Sequence, residues 1–240
     1  MRLELPNISF AHPCYVVGGY VRDRIMDPNS DPKDIDLCMV CDNIEQVEEQ
    51  IGSVGGKIFQ SNPEFLTVRC LIPELGPVDI AVARRDGEYF DGRRPDSTEV
   101  ADSIEEDLSR RDATVNAIAV DVSNGEIVDP FNGVQDIQDR VIRAVGNAAD
   151  RIQEDYLRLL RYLRFSITKG FDIDEEIESC FYDPATIAGL ENVSIERIRE
   201  EVFRCFRFDT NWTFTNLERF PVLRERIFSR GLWLKPSLEE

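Results

Sequence analysis

Short apolar segments separated by polar turns characterise the first 145 residues of the chain. Residues 14–17, 34–40 and 78–83 are apolar runs of strand length, bounded by glycine, proline or charged residues. Residues 44–52 place their apolar side chains at helical spacing. This alternation of strands and helices predicts a mixed α/β head domain over residues 1–145.

From residue 150 onward the apolar positions follow a helical period. We predict one helix that ends at Gly170, a second over residues 174–181 and a third after the N-cap residue Ser194. The apolar stripe of the first helix comprises Ile152, Tyr156, Leu159, Leu160, Leu163 and Ile167. The predicted fold class is α+β, with a mixed sheet flanked by helices and then an all-helical neck over 146–207. A short C-terminal tail over 208–240 is expected to add one more helix.

A glycine pair follows the first predicted strand. Gly18 and Gly19 allow a tight turn and a close approach to a ligand. The helix predicted over residues 20–26 begins there, and its unpaired N–H groups suit a phosphate.

Two aspartates lie in the next predicted strand, which extends over residues 34–40. Asp34 and Asp36 are two residues apart, so on a strand they project to the same side, about 7 Å apart. Paired carboxylates beside a phosphate cradle are typical of a Mg²⁺ site for phosphoryl or nucleotidyl transfer.

A third acid, Asp79, lies within the apolar run 78–83. A carboxylate there is costly unless it has a partner, binds a metal or faces water at a sheet edge. Three acids on neighbouring strands could hold two metal ions, and the sequence leaves these alternatives open.

The composition narrows the possible chemistry. The net charge of −18 argues against a general nucleic-acid binder, but only four of the 28 basic residues are lysine. Arginine forms planar contacts with phosphates and bases, so we expect an acidic exterior with an arginine-lined cleft. The only histidine, His12, argues against histidine-based metal or triad chemistry.

Cysteine use and hydropathy indicate the compartment. The six cysteines are scattered through apolar surroundings and predict buried, reduced thiols. No apolar run approaches the length of a membrane span, so we expect no membrane partner and a cytoplasmic location.

Five motifs follow one another along the chain. They are Gly18-Gly19-Tyr20-Val21-Arg22-Asp23 with Asp34-Ile35-Asp36-Leu37; Arg85, Tyr89, Asp91 and Arg93-Arg94-Pro95; Asp107-Leu108-Ser109-Arg110-Arg111-Asp112-Ala113-Thr114-Val115-Asn116-Ala117; Val145-Gly146 and Arg151 with Glu154-Asp155-Tyr156-Leu157-Arg158; and Glu196-Arg197-Ile198-Arg199-Glu200-Glu201. In this order they resemble the class II tRNA nucleotidyltransferases (CCA-adding enzymes) and bacterial poly(A) polymerases.

The resemblance implies a polymerase-beta-like nucleotidyltransferase head and a role for each matching residue. It implies that Asp34 and Asp36 bind catalytic Mg²⁺, with Asp79 as a further catalytic acid. It also implies a nucleotide site in which Gly18, Gly19 and Arg22 cradle the triphosphate, Arg111, Asp112 and Asn116 hold phosphate and ribose, and Asp155, Arg158 and Arg161 contact the nucleotide. Finally, it implies a flexible loop that contains Arg85, Asp91, Arg93 and Arg94.

The implied role of Asp155 and Arg158 in reading the base has a physical basis. Three residues apart on the predicted helix, they would share one face. A carboxylate accepts from an exocyclic amine and a guanidinium donates to a ring acceptor, a pattern that cytosine and adenine match. The alternative is an ordinary surface pair between Glu154 and Arg158.

The resemblance implies a template-independent enzyme that adds C and A from CTP and ATP to an RNA 3′ end, in particular that of tRNA. A poly(A) polymerase and a terminal nucleotidyltransferase acting on another small RNA are alternatives on the same scaffold. A nucleotide-binding protein without turnover is a third alternative. Because the chain ends shortly after the last motif, we expect it to lack most of the helical body and tail of this family.

Overall fold

The computed structural model describes Leu3, residues 8–30, Pro32, residues 34–87, residues 98–229 and Gly231. These residues divide into two compact units, of which the first ends at Asp139 and the second begins at Arg140. The division falls a few residues before the predicted end of the head at 145. The domain bounds given above stay predictions.

A mixed β-sheet forms the centre of the first unit. Its strands and those of a separate hairpin are β1 (Cys14–Val17), β2 (Ile35–Met39), β3 (Lys57–Asn62), β4 (Thr67–Ile72), β5 (Gly76–Val82), β6 (Arg84–Asp86), β7 (Thr98–Val100), β8 (Ala119–Asp121) and β9 (Ile127–Val128). The order across the sheet is β3-β4-β5-β2-β1-β8-β9, while β6 pairs with β7. Strands β2 and β5 are parallel and the other neighbours are antiparallel, so the sheet is mixed as predicted.

Short helices cover the sheet of the first unit. They are α1 (Gly19–Met26), α2 (Ile44–Ser53), α3 (Ile104–Ser109) and α4 (Gly133–Asp139), with a 3₁₀ turn at Thr114–Asn116. Asn43 caps α2 and Ser103 caps α3, each accepting a hydrogen bond from the backbone N–H three residues later. The apolar face of α2 is buried, as its sequence predicts.

The second unit is largely helical. It contains α5 (Ala148–Glu154), α6 (Leu157–Lys169), α7 (Glu175–Tyr182), α8 (Pro184–Ala188), α9 (Ile195–Phe208), α10 (Thr210–Arg219) and α11 (Pro221–Ser229), with a 3₁₀ turn at Gly189–Asn192. Phe181 and Phe220 stack in its core with ring centroids 4.5 Å apart. The strands β10 (Val141–Ile142) and β11 (Asp172–Ile173) pair in parallel, so the predicted neck is not entirely helical.

The prediction of one continuous helix from residue 150 to Gly170 is wrong, because the chain breaks between α5 and α6. Asp155 has an extended backbone, and its Oδ1 accepts a hydrogen bond from the Leu157 N–H at 3.1 Å. The ring of Tyr156 lies against Gly189, where an added Cβ would come within 2.0 Å of Cε1. A local side-chain bond and a close ring-to-backbone contact therefore override the helical period.

The C-terminal tail also differs from the sequence prediction. Over its described residues 208–229 it contains two helices instead of one, because Pro221 starts a new helix after α10. In the first unit, the apolar run over residues 114–122 contains the 3₁₀ turn and then β8.

Candidate active site

The carboxylates predicted to act together meet at the centre of the sheet. Asp36 on β2 is the register partner of Asp79 on the parallel strand β5, so both side chains project from one face. Asp34 lies just before β2 begins. A cavity of about 500 Å³ is lined by Asp34, Ile35, Asp36, Phe59, Arg69, Pro77, Val78 and Asp79.

Asp79 has a protein partner in this cavity. Arg69 on β4 donates from Nε and Nη2 to the two carboxylate oxygens of Asp79, at 2.8 and 2.9 Å. This bidentate pair accounts for an acid within an apolar strand. In the described part of the chain, no three acid, histidine or cysteine side chains are grouped as a metal would need. A catalytic role for Asp79 stays a prediction.

Two acids and two arginines act on the carboxylate of Asp36, which lines the cavity and is partly accessible to solvent. Partial burial and then the charge of Asp79 raise its pKa, as does Asp34, while Arg111 and Arg69 act in the opposite direction. A site that disfavours its own negative charge is suited to a cation.

The two aspartates at β2 fit a divalent cation. Mg²⁺ prefers hard oxygen ligands and is usually held by one or two carboxylates together with substrate phosphates. Asp34 and Asp36 supply that donor set on the cavity wall without the oxygens of Asp79, which already accept from Arg69.

The predicted glycine turn borders the carboxylates. Gly18 has φ 74°, a value that favours glycine, and it precedes the first residue of α1. A Cβ built on Gly18 would lie 3.4 Å from Arg111 Nη1 and 3.8 Å from Asp36 Oδ2. No side chain of the described residues caps α1, so the N–H groups of its first turn suit an anion. The turn, an arginine and the central carboxylate thus converge.

Three further residues of the predicted nucleotide site form one buried polar chain. Arg22 Nη1 donates to Asn116 Oδ1 at 2.6 Å, and Asn116 Nδ2 donates to Asp112 Oδ1 at 2.9 Å. All three residues are buried. Gly19 borders the same group, since a Cβ there would lie 3.5 Å from Arg22 Nη2. The structure therefore brings together residues that are far apart in the sequence.

Asp107 positions Arg111, a role that was not predicted from the sequence. Its fully buried carboxylate accepts from Arg111 Nη2 at 3.0 Å and from Arg110 Nη2 at 2.7 Å. Burial raises the pKa of Asp107, but the charges and hydrogen bonds of both arginines outweigh it and lower the pKa overall. The i, i+4 spacing from Asp107 to Arg111 was a signal available in the sequence.

The predicted flexible loop is only partly described. Arg85 lies on β6 and donates to Glu99 on β7 at 2.9 Å, and both side chains are exposed. Asp91, Arg93 and Arg94 lie outside the described residues.

In the second unit, the predicted base-reading residues occupy different elements. Asp155 follows the end of α5 and Arg158 lies in α6, so the expectation that one helix face carries both is wrong. Arg197 on α9 donates to Asp155 Oδ2 at 2.7 Å, and Arg158 Nη1 donates to Glu154 and, at 2.8 Å, to the Arg151 carbonyl. Arg161 Nη1 lies 3.9 Å from Glu201 Oε1. Arg197 belongs to the last of the five sequence motifs, but the sequence predicted no role for it in the site.

A mixed sheet with a glycine turn beside central carboxylates is the architecture of a nucleotidyltransferase head domain. The chain belongs to the family of the poly A polymerase head domain, whose model matches residues 14–143.

Curated relatives extend the likeness beyond the head. The chain is 40% identical over 190 residues to the CCA-adding enzyme of Bacillus cytotoxicus, across 79% of this chain and 45% of that protein. It is 36% identical over 187 residues to the CCA-adding enzyme of Lactobacillus helveticus, across 78% and 44%. The chain thus spans about half the length of the curated relatives it matches.

Solved structures give the same picture. The Bacillus stearothermophilus CCA-adding enzyme in complex with CTP has a TM-score of 0.76 and 29% identity, over 92% of this chain and 51% of that chain. The Thermotoga maritima CCA-adding enzyme complexed with tRNA has a TM-score of 0.68 and 26% identity, over 94% and 50%. Among the residues described, no helix is both long and apolar enough to cross a membrane.

Proposed function

We propose that this chain is a template-independent RNA 3′-end nucleotidyltransferase that adds C and A to tRNA from CTP and ATP. The observation that carries the proposal is the convergence of Gly18, Arg111 and Asp36 at one edge of the site. A phosphate cradle, a cationic side chain and a cation-binding carboxylate are the parts that transfer of a nucleotidyl group requires. The names of the curated relatives support the choice of substrate.

The proposed reaction exchanges one bond at the α-phosphate. The RNA 3′-hydroxyl oxygen bonds to the α-phosphorus, the bond to the β-phosphate breaks and pyrophosphate leaves. Gly18, Gly19, Arg22 and Arg111 bind the triphosphate, while Asp112 and Asn116 hold the ribose. Asp34 and Asp36 would hold Mg²⁺, which favours ionisation of the attacking hydroxyl and neutralises charge on the phosphates. Asp34, Asp36 or Asp79 accepts the proton of the hydroxyl.

Base selection is assigned to the second unit. A carboxylate at Asp155 accepts from the exocyclic amine of C or A, and the Arg158 guanidinium donates to the neighbouring ring acceptor. Arg197 and Glu154 hold these two side chains in defined orientations. Positioned donors and acceptors of this kind would replace a nucleic-acid template.

The function is tested with tRNA that ends before, within and after the CCA sequence, supplied with each NTP singly and with all four together. We expect addition of C and then A that stops once CCA is complete. Unlimited addition of A would instead identify a poly(A) polymerase, and the same addition to unrelated small RNAs would indicate another terminal transferase. Binding of CTP or ATP in a thermal-shift titration, with no product in any reaction, would contradict an enzymatic role.

Asp155→Ala is expected to reduce discrimination among the four NTPs by roughly tenfold, because a paired hydrogen-bond contact to one base contributes about that factor. The measurement is kcat/KM for each NTP with tRNA that ends before CCA. Asp172→Ala, which removes an exposed acid of the same unit, is the matched control and should leave the ratios unchanged. Equal ratios in wild type and Asp155→Ala would refute base reading by this residue.

A further inference from the structure

Strand β2, which carries Asp36, divides the site into two unlike sides. On one side of β2 lies β1, which leads into the Gly18 turn and α1. On the other side lie β5, β4 and β3, which contribute Arg69 and Phe59 to the cavity. The proposed function places the triphosphate on the Gly18 side and gives the β3–β4 side no ligand.

Phe59 is a large aromatic residue that the fold leaves exposed at this cavity. Its relative exposure is 55%, although it lies in a strand and lines the same cavity as Asp36. The register of β3 against β4 shifts between Ile58 and Gln60, which makes Phe59 the extra residue of a β-bulge. Bulges redirect side chains and are frequent beside active sites. Phe59 therefore lies at a bulge of an edge strand whose residues are mostly exposed, and it lines the cavity.

Arg69 adds a cation to the cavity that Phe59 lines. Its side chain is 65% exposed, and its bonds to Asp79 use Nε and Nη2 but not Nη1. Because Gln60 is its register partner on β3, Arg69 lies opposite the bulge. An aromatic ring and a guanidinium in one cavity are the combination that single-stranded nucleic acid binds, by base stacking and phosphate contact.

From this geometry we propose that Phe59 and Arg69 bind the 3′-terminal nucleotide of the acceptor RNA, with its base stacked on Phe59 and its phosphate against Arg69. The proposal rests on the proposed function, because in-line transfer puts the attacking and leaving oxygens on opposite sides of the α-phosphorus. With pyrophosphate leaving toward Gly18, the acceptor enters from β3 and β4. Stacking tolerates any base, which suits an acceptor whose last base changes as C and A are added.

The test measures binding without turnover. An RNA minihelix that ends in 2-aminopurine is titrated with protein in the absence of NTP and metal. We expect quenching of its fluorescence by wild type and by Phe59→Trp, which keeps an aromatic face. Phe59→Ala should lose the quenching and bind roughly tenfold more weakly. Phe65→Ala, which removes an exposed phenylalanine outside the cavity lining, is the matched control and should behave like wild type.

Arg69→Gln supplies an independent readout. Loss of one phosphate contact should lower the slope of log Kd against log salt by about one unit. Arg219→Gln, which removes another exposed, ion-paired arginine, should leave that slope unchanged. In turnover, Phe59→Ala should raise KM for RNA and leave KM for CTP unchanged. Arg69→Gln also removes the guanidinium partner of Asp79, so this variant is assessed by the salt slope of RNA binding alone.

The outcomes separate this site from the proposed function. If only Phe59→Ala loses the quenching and wild type shows no turnover, the RNA site is supported and the proposed function is overturned. If wild type adds CCA normally and Phe59→Ala quenches like wild type, the proposed function is supported and the RNA site is overturned. A rise in KM for CTP instead of RNA in Phe59→Ala would also overturn the acceptor assignment.

Discussion

Replacing Asp36 by asparagine is expected to slow nucleotide incorporation by about a thousandfold or more, because a bound metal supplies several kcal/mol of transition-state stabilisation. The amide retains the shape of the side chain but removes the charge that Asp36 would offer to a divalent cation at the centre of the site. Asp34→Asn should have a large effect in the same direction. The measurement is single-turnover incorporation of CMP into tRNA that lacks CCA, so that the chemical step is observed separately from release.

The same substitution should not destabilise the fold. The folded state raises the pKa of Asp36, chiefly through burial and the charge of Asp79, so the ionised form costs stability. That cost is absent below the unfolded pKa and develops as the pH rises through the folded pKa. Asp36→Asn should therefore melt at or above the wild-type temperature at pH 7, and the difference should vanish in acid.

Asp42→Asn provides the control for both measurements. Asp42 is an exposed acid shortly after the same strand and lies outside the cavity lining. This variant should retain incorporation and melting behaviour close to wild type. Full incorporation by Asp36→Asn would refute the proposed role of Asp36, whereas a lower melting temperature would show that its loss of activity reflects damage to the fold.

The parts of the site that depend on local sequence were predictable. The strand, glycine turn and helix around Gly18 follow from neighbouring residues, and so does the placement of Asp36 on the next strand. The Asp79–Arg69 ion pair was not predictable from the sequence, because it depends on which strand lies beside β5. The bulge at Phe59 arises from the same cross-strand register and leaves no periodic signal in the sequence.

The second unit shows a different limit. The apolar spacing around Tyr156 is helical, and the period alone gives no reason for a break. The break depends on a hydrogen bond from the Leu157 N–H to Asp155 and on the close approach of Gly189. A short polar side chain that competes for backbone N–H groups is a local cue, but Gly189 is a partner distant in sequence.

Asp107→Asn is expected to destabilise the protein by about 3 kcal/mol, because breaking a buried ion pair leaves the partner charges uncompensated. Asp107 is fully buried and accepts from both Arg110 and Arg111. Arg111 also lies beside Gly18, so the variant should lose affinity for CTP as well. Urea denaturation at pH 7 gives the free energy of unfolding, and equilibrium CTP binding gives the affinity.

Glu106→Gln is the matched control for Asp107→Asn. Glu106 lies on the same helix with a side chain that is 40% exposed, and its neighbour Arg85 is 3.9 Å away. Glutamine can still accept the hydrogen bond that Glu106 receives from the Asp102 N–H, so this variant should change the free energy of unfolding little.

The acid dependence of Asp107 separates its charge from its packing. The folded state lowers its pKa, so the stability it contributes is complete above the unfolded pKa of about 3.9 and is lost as the pH falls through the folded pKa. The difference between wild type and Asp107→Asn should therefore be constant near neutrality and shrink in acid. A difference that is independent of pH would mean that Asp107 acts through shape and hydrogen bonding alone. Because the carboxylate touches both arginines, loss of its charge should weaken the fold and the phosphate site together.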